Sequence, residues 1–359
     1  MRTQAAHLRR SRPLRREDDS VLWFVTCRVI EERFVLHPIL SAGLQPPNRH
    51  ARRALEHLQQ RRDKRLATVI KKGNARRGPF QPELTLADAR RLAGGLVGAA
   101  AARAQQRCGA QVFALVVMSN HVHLLVRTRG KNLAAFMAYF KAAVTRDINH
   151  LTGRRGPLWA RRYDAQPVLD DAAASDRVAY ALDNPVKARL VEQPQDWPGL
   201  NLAYGMADAD ELAFEYLDRM AWHRKRRPAD LSPFFNTTTL VLAPLPSCDR
   251  MTRELYAQSV QTWLQHARAR RATERGDEPQ HAVLGVEGIV NTDFFTRPTR
   301  PAFGRRPYAF GSPERRSEHR TAMIAVIAGH GAMSERYRAG DRMVVFPAGT
   351  YPPPVLQAA

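Results

Sequence analysis

The sequence predicts an α+β fold, in which helices cover an antiparallel sheet and a mainly helical C-terminal region follows. Three segments are rich in β-branched and aromatic residues, as strands are: VLWFVTCRV (21–29), QVFALVVM (111–118) and HVHLLVRT (121–128). Only Ser119 and Asn120 divide the last two, a short polar break that is typical of a β-hairpin. Segments with helical spacing of apolar residues lie between and after these strands, and they predict the covering helices.

Helices are predicted where apolar residues recur every three or four positions. These segments are 85–109, 133–152, the later part of 166–191, and the amphipathic, arginine-rich stretch 250–277. The predicted organisation is a basic N-terminal arm (1–20), a main domain (21–205) with a basic insertion (45–82), and a mostly helical accessory region (206–359).

The chain is strongly basic. Its 359 residues carry a formal net charge of +22, and the sequence pI is about 10.9. A charge of this size indicates a polyanionic partner, and nucleic acid is the leading candidate. Five basic runs could neutralise phosphates, and aromatic residues among them could stack on unpaired bases: RRSRPLRR, RRDKR, KKGNARR, GRRGPLWARR and WHRKRRP.

Composition argues against a membrane protein and against a disulfide-rich one. The longest nearly uncharged run, 92–102, is too short to span a bilayer, and Arg28 interrupts what a signal peptide would need as its apolar core. Cys27, Cys108 and Cys248 are far apart and form no C-x-x-C motif, so neither a disulfide framework nor a cysteine zinc site is expected. We expect a cytoplasmic protein with no membrane partner.

Two histidines interrupt an otherwise apolar strand. His121 and His123 are two positions apart, so in a strand both side chains project from the same face. Two neighbouring imidazoles are the beginning of a metal site, although two ligands hold a divalent ion weakly and a third polar group is needed. Taken alone, an H-x-H pair is more often a pair of partly exposed sheet residues.

A tyrosine and an asparagine lie on one face of the helix predicted within 166–191. Tyr180 and Asn184 are four residues apart, and Pro185 ends or kinks this helix. A helix beside the sheet could present both side chains to the histidine strand. The simpler interpretation is that the tyrosine packs in the core and that the asparagine before proline stops the helix.

Three motifs together resemble a known family. VVMSNHVHLLV resembles the His-hydrophobic-His motif of single-tyrosine transposases, and YALDNPVKARLVEQPQDWPG resembles the tyrosine helix of their REP-associated branch. FKAAVTRDIN and GPLWARRYDAQPV, which lie between them, are also similar to the family. The resemblance spans approximately residues 21 to 202 and implies a ferredoxin-like fold for the main domain, as the catalytic domain of an HUH endonuclease.

The resemblance also implies roles for particular residues. Tyr180 would be the nucleophile that forms a 5′-phosphotyrosyl bond to single-stranded DNA, which is commonly folded as a hairpin. His121, His123 and Asn184 would bind Mg²⁺ or Mn²⁺. Related enzymes are dimers or monomers, and the REP-associated branch favours a monomer.

Further residues are candidates for DNA contact or for rival chemistry. The expected DNA-binding residues are basic or aromatic: Arg154, Arg155, Trp159, Arg161, Arg162, Tyr163 and Lys187. Tyr139 and Tyr163 are rival nucleophiles, but packing better explains the first, and stacking on bases would suit the second. Two other functions remain open: a catalytically silent nucleic-acid binder derived from a transposase, and a metal nuclease that activates water at the histidine pair.

Overall fold

The computed structural model describes residues 15–16, 19–38, 60, 86–130, 132–206, 209–226, 228, 230–275, 282–294, 296–297 and 308–353. Most of the predicted arm at 1–20 lies outside these residues. So does the predicted basic insertion at 45–82, apart from residue 60. The predicted domain limits stay predictions.

A five-stranded sheet forms the centre of the main domain. Its strands are β1 (Leu22–Arg28), β2 (Gln111–Met118), β3 (His121–Arg127), β4 (Asp164–Val168) and β5 (Asn201–Ala203). They lie in the order β4-β1-β3-β2-β5, and every neighbouring pair is antiparallel. The helix α1 (Leu86–Cys108) connects β1 to β2, and α2 (Leu133–Thr152) connects β3 to β4. The first four strands and two helices have the βαββαβ order of a ferredoxin-like domain, so the predicted fold class is confirmed.

Helices also dominate the chain after β4. They are α3 (Asp171–Leu182), α4 (Asn184–Lys187), α5 (Arg219–Arg224), α6 (Arg253–Arg275), α7 (Gly285–Asn291) and α8 (Pro313–Arg338). The C-terminal region is helical as predicted, and it also contains a two-stranded antiparallel sheet of β6 (Glu211–Leu217) and β7 (Phe235–Val241). Within the described ranges, no helix is long and apolar enough to cross a membrane.

The sheet separates two hydrophobic cores because successive side chains of a strand point to opposite faces. Trp23, Val25 and Cys27 of β1 lie in the core that α1 and α2 cover. Leu22 and Phe24 lie in the other core, against α3 and α6. The histidines of β3 therefore lie on a face whose covering helices include the tyrosine helix.

The β6–β7 sheet packs on the outside of α1. Gln105 of α1 donates a hydrogen bond to the Val241 carbonyl (2.7 Å) and accepts one from the Val241 amide (2.9 Å). Gly95 of the same helix lies directly against the backbone of Glu215 in β6, where a β-carbon would meet the Glu215 carbonyl. Glycine is needed here for close approach of two backbones.

Ion pairs hold α6 against the tyrosine helix. Asp183, at the end of α3, is 2% exposed and pairs with Arg268 (3.2 Å) and Arg271 of α6. Asp176 pairs with Arg270 at 2.6 Å. The accessory region thereby helps to fix the position of α3 on the sheet.

Candidate active site

The histidine pair occupies the start of β3, next to the end of β1. His121 lies opposite Arg28 in the strand register, and His123 lies opposite Thr26. The two imidazole rings project from one face, with their centroids 4.8 Å apart and their planes nearly perpendicular. This is the same-face arrangement expected from the spacing of two residues in a strand.

Both imidazoles are oriented through their Nδ1 atoms. Nδ1 of His121 lies 2.6 Å from the Asn120 side-chain oxygen, and Nδ1 of His123 lies 3.2 Å from the Thr26 hydroxyl. A metal-binding histidine is commonly held in this way by a hydrogen bond to its other ring nitrogen. Nε2 is therefore the atom that each ring would offer to a metal.

The tyrosine helix places its predicted residues beside this pair. The Tyr180 ring lies 5.6 Å from the His123 ring and 5.8 Å from that of Phe24, edge-on in both cases. Helix α3 begins at a capped end, where the Asp170 carboxylate accepts a hydrogen bond from the Ala173 amide at 2.8 Å.

Asn184 is buried at the junction of α3 and α4. Its side-chain nitrogen donates hydrogen bonds to the carbonyls of Tyr180 (2.6 Å) and Ala181 (3.4 Å). With the nitrogen used in this way, the amide oxygen is the atom available for a ligand. Asn184 thus fulfils both expectations from the sequence: its side chain bonds to the backbone where α3 ends, and it lies beside the histidine pair.

One cavity of about 490 Å³ collects these side chains. Its lining includes His121, His123, Tyr180, Asn184 and Lys187. The structure thus brings together the predicted nucleophile, the three predicted metal ligands and one of the predicted DNA-binding residues. Within the described ranges, no three or more His, Cys, Asp or Glu side chains are grouped so that they could hold a metal. A metal site here therefore depends on the amide of Asn184.

Two cations flank the Tyr180 ring. The Arg177 guanidinium carbon lies 4.6 Å from the ring centroid, and the Lys187 ammonium lies 4.7 Å from it. Arg177 also lies over the rings of Phe24 (5.6 Å) and Phe310 (4.2 Å). Burial lowers the pKa of the Arg177 guanidinium, and the nearby Tyr180 acts in the opposite direction. Arg177 was not among the predicted residues, although its spacing of three residues before Tyr180 is a signal that could have found it.

Arg28 and Glu32 also line the cavity and were not predicted as site residues. Their side chains form an ion pair at 3.5 Å. Glu31 and Glu32 both have positive φ angles, 56° and 53°, which is uncommon for residues other than glycine. Arg28 could have been found only from the register of β1 against β3, which the sequence does not provide.

The predicted DNA-binding loop runs beside the end of β1. The Ala160 amide donates to the Arg28 carbonyl (3.0 Å), and the Ile30 amide donates to the Leu158 carbonyl (2.8 Å). The predicted arginines of this loop differ in exposure: Arg154 is half-buried, whereas Arg155, Arg161 and Arg162 are exposed. The loop therefore presents exposed cations on the surface, and none of its four predicted arginines lines the cavity.

The aromatic residues of this loop are more enclosed than expected. Trp159 is half-buried, and its indole nitrogen donates to the Lys141 carbonyl at 3.1 Å. Tyr163 is 6% exposed, and the guanidinium groups of Arg15 and Arg162 lie over its ring at 4.6 and 5.2 Å. This packing does not favour the predicted stacking of Tyr163 on bases, because stacking needs an accessible ring.

The rival tyrosines lie away from the histidines. Tyr139 and Tyr163 belong to the core on the opposite face of the sheet, and neither lines the cavity. Arg103 and Arg107 lie 5.9 and 5.5 Å from the Tyr139 ring. Among the tyrosines considered from the sequence, Tyr180 alone lines this cavity within the described part of the chain.

Comparison with known families bears directly on this site. Residues 96–180 match the family model described as Transposase IS200 like. The resemblance to these transposases is confirmed over this range. The matched segment contains both histidines and ends at Tyr180, whereas Asn184 and Lys187 lie beyond it. The matched model is that of a transposase family, so this range is similar to proteins that carry out DNA transposition.

One solved structure is similar to part of the chain. It is described as the structure of the REP-associated tyrosine transposase bound to a REP hairpin, and it shares 16% sequence identity with a TM-score of 0.30. The similarity covers 53% of this chain and 81% of that chain. A TM-score this low does not by itself establish a shared fold. No curated protein matches the chain.

Proposed function

We propose that this protein cleaves single-stranded DNA and transfers the strand through a covalent bond to Tyr180. The observation that carries the proposal is that the two histidines, Tyr180 and Asn184 line one cavity. The transposase family match over 96–180 supports the same class of reaction. A helical tyrosine placed only for packing would not require two imidazoles and a buried amide beside it.

The proposed reaction is a phosphoryl transfer. The Tyr180 oxygen attacks the phosphorus, a P–O bond to tyrosine forms, and the bond to the 3′-oxygen breaks. The products are a 5′-phosphotyrosyl bond and a free 3′-hydroxyl, to which the phenol proton is transferred directly or through solvent. Because one phosphoester replaces another, a second 3′-hydroxyl can later reverse the step and join a new strand without external energy.

The residues present fit a divalent metal ion. His121 and His123 would bind it through Nε2, and Asn184 through its amide oxygen. Mg²⁺ and Mn²⁺ both accept the amide oxygen, and the two imidazoles favour Mn²⁺ of the two. When bound, the ion would polarise the scissile phosphate and offset the charge that develops on it. The hydrogen bonds that the two Nδ1–H groups would donate to the Asn120 side-chain oxygen and the Thr26 hydroxyl would keep the imidazoles in place.

The cations around Tyr180 would hold the phosphate. Arg177 and Lys187 lie on the tyrosine ring, and Arg28 lines the same cavity. Fixed positive groups in a partly dehydrated site stabilise the extra negative charge of a phosphoryl-transfer transition state. Arg177 is held by aromatic rings on several sides, so it would lose little conformational entropy in acting this way.

The proposed substrate is a DNA strand with unpaired nucleotides beside a hairpin. The exposed arginines Arg155, Arg161 and Arg162, which lie outside the cavity, would contact its phosphates. We further propose that the protein acts in the cytoplasm as a monomer or homodimer.

The test is capture of a covalent complex. Purified protein is mixed with labelled hairpins from the flanks of its own gene, with Mn²⁺ or Mg²⁺, and separated on a denaturing gel. We expect a metal-dependent adduct in the native protein and in Tyr139→Phe, the matched control, and none in Tyr180→Phe. Binding without an adduct would favour the silent binder, and cleavage without an adduct would favour the water-activating nuclease.

A further inference from the structure

The cavity has an apolar part that phosphoryl transfer does not use. Its apolar lining residues are Phe34, Leu190, Leu284 and Ile289, among others. They come from three separate segments: the turn after β1, the residues that follow α4, and α7 with the residue before it. Leu284 is 49% exposed, although it is a large apolar residue. An accessible apolar surface continuous with a phosphate site needs an explanation.

Hydrogen bonds at both ends fix α7 across the cavity. At one end, the amides of Leu284 and Gly285 donate to the carbonyls of Arg189 and Leu190, both at 3.0 Å. At the other end, the imidazole of His37, 1% exposed, lies 2.7 Å from the Ile289 carbonyl. The Phe34 amide donates to the Thr296 carbonyl at 3.1 Å. The apolar wall is therefore a built part of the structure.

We propose that this apolar part binds one unpaired nucleobase of the DNA, next to the phosphate that Tyr180 attacks. The inference rests on the proposed function, and it names the chemistry that the same cavity recognises. A base has apolar faces that pack on side chains such as Phe34 and Leu284, and stacking contacts of this kind tolerate every base. The accessory region would thus supply part of the substrate site through α7.

Charge and size favour a nucleotide over an uncharged ligand. Lys187 lines the same cavity as the apolar wall, together with Arg28 and its ion-pair partner Glu32, so the lining stays net positive and an occupant with an apolar group and a negative charge matches both parts. The cavity of about 490 Å³ is in the range of small-ligand pockets, which are about 300 to 1,000 Å³. The Thr292 hydroxyl also lines it; this hydroxyl donates to the Gly288 carbonyl at 2.8 Å, so its oxygen can accept a hydrogen bond from a base edge.

The test removes the base and the wall separately. Labelled flank hairpins carry an abasic residue at each position of the unpaired segment in turn, and binding is measured by fluorescence anisotropy. We expect one position at which base loss weakens binding by about tenfold. In Leu284→Ala, the effect of losing that base on binding should largely disappear. The control Leu255→Ala changes a similarly exposed leucine on α6, and it should retain the effect. 4-Thiothymidine at that position should crosslink to a peptide containing residues 284–292.

The outcomes separate the two proposals. A covalent adduct with no position at which the base matters would overturn the base site and leave the proposed function standing. Base-dependent binding and the crosslink without an adduct would support the base site and overturn the proposed function. An equal gain of binding for all probes in Leu284→Ala would show α7 to be a barrier and would also overturn the base site.

Discussion

His37 should make the stability of the protein depend on pH. It is buried, and burial lowers its pKa from 6.5 to about 4, against the raising effects of the hydrogen bond to the Ile289 carbonyl and of Asp293. Below pH 6.5 the His37 imidazole of the unfolded chain binds a proton, whereas that of the folded chain stays neutral until about pH 4. The contribution of neutral His37 to the free energy of unfolding is therefore complete above pH 6.5 and is lost as the pH falls toward 4. It amounts to about 3 kcal/mol, since each pH unit is worth about 1.4 kcal/mol.

The measurement is urea unfolding of the native protein and of His37→Gln at pH 7.5, 6.0 and 5.0. Glutamine can still donate to the Ile289 carbonyl but does not titrate. Between pH 6 and 5 the unfolding free energy of the native protein should fall more steeply than that of the variant, by up to about 1.4 kcal/mol. The control, His266→Gln at an exposed histidine, should follow the native protein. Equal slopes for the native protein and His37→Gln would refute the reasoning.

Three further predictions concern DNA binding, the metal ligands and the packing of α1. In anisotropy titrations, replacing the exposed Arg161 and Arg162 by alanine should reduce the slope of log binding constant against log salt by about 0.7 for each phosphate that the variant no longer neutralises. The control, Arg250→Ala, should leave this slope unchanged. Asn184→Ala should reduce adduct formation at limiting Mn²⁺ by at least about tenfold while hairpin binding persists, and Asn184→Asp, which restores an oxygen ligand, should recover adduct formation. Equal adduct formation by Asn184→Ala and the native protein would exclude the amide as a ligand. Gly95→Ala should destabilise the protein by about 1 to 3 kcal/mol because its β-carbon would meet the Glu215 carbonyl, whereas Gly331→Ala, in open space on α8, should be neutral or stabilising in thermal melts.

Local patterns in the sequence predicted much of the architecture and proposed the central residues. Because side chains alternate between the two faces of a strand, the sequence was enough to place His121 and His123 of β3 on one face. Because residues four positions apart share a face of a helix, it also placed Tyr180 beside Asn184. Each of these relations lies within one element, where backbone geometry fixes the direction of side chains. The ferredoxin-like order itself came from the resemblance.

Relations between distant segments were not predictable in the same way. Arg28 reaches the cavity only because β1 pairs with β3 in a register that places it opposite His121. The β6–β7 sheet was missed because its strands are partly exposed and a basic stretch, residues 222–228, separates them. The contribution of α7 depends on hydrogen bonds between residues more than 90 positions apart, such as that from Leu284 to Arg189, and no local pattern signals them.

The identity of the residue that carries the DNA tests the central claim most directly. Trypsin should release Tyr180 in the peptide VAYALDNPVK, residues 178–187, in which it is the only tyrosine. The native adduct is digested with nuclease and trypsin, and the nucleotide-bearing peptide is sequenced by mass spectrometry. The account predicts the nucleotide on Tyr180 of this peptide. A nucleotide on a peptide containing Tyr139 or Tyr163, or cleavage of DNA with no nucleotide-bearing peptide, would contradict it.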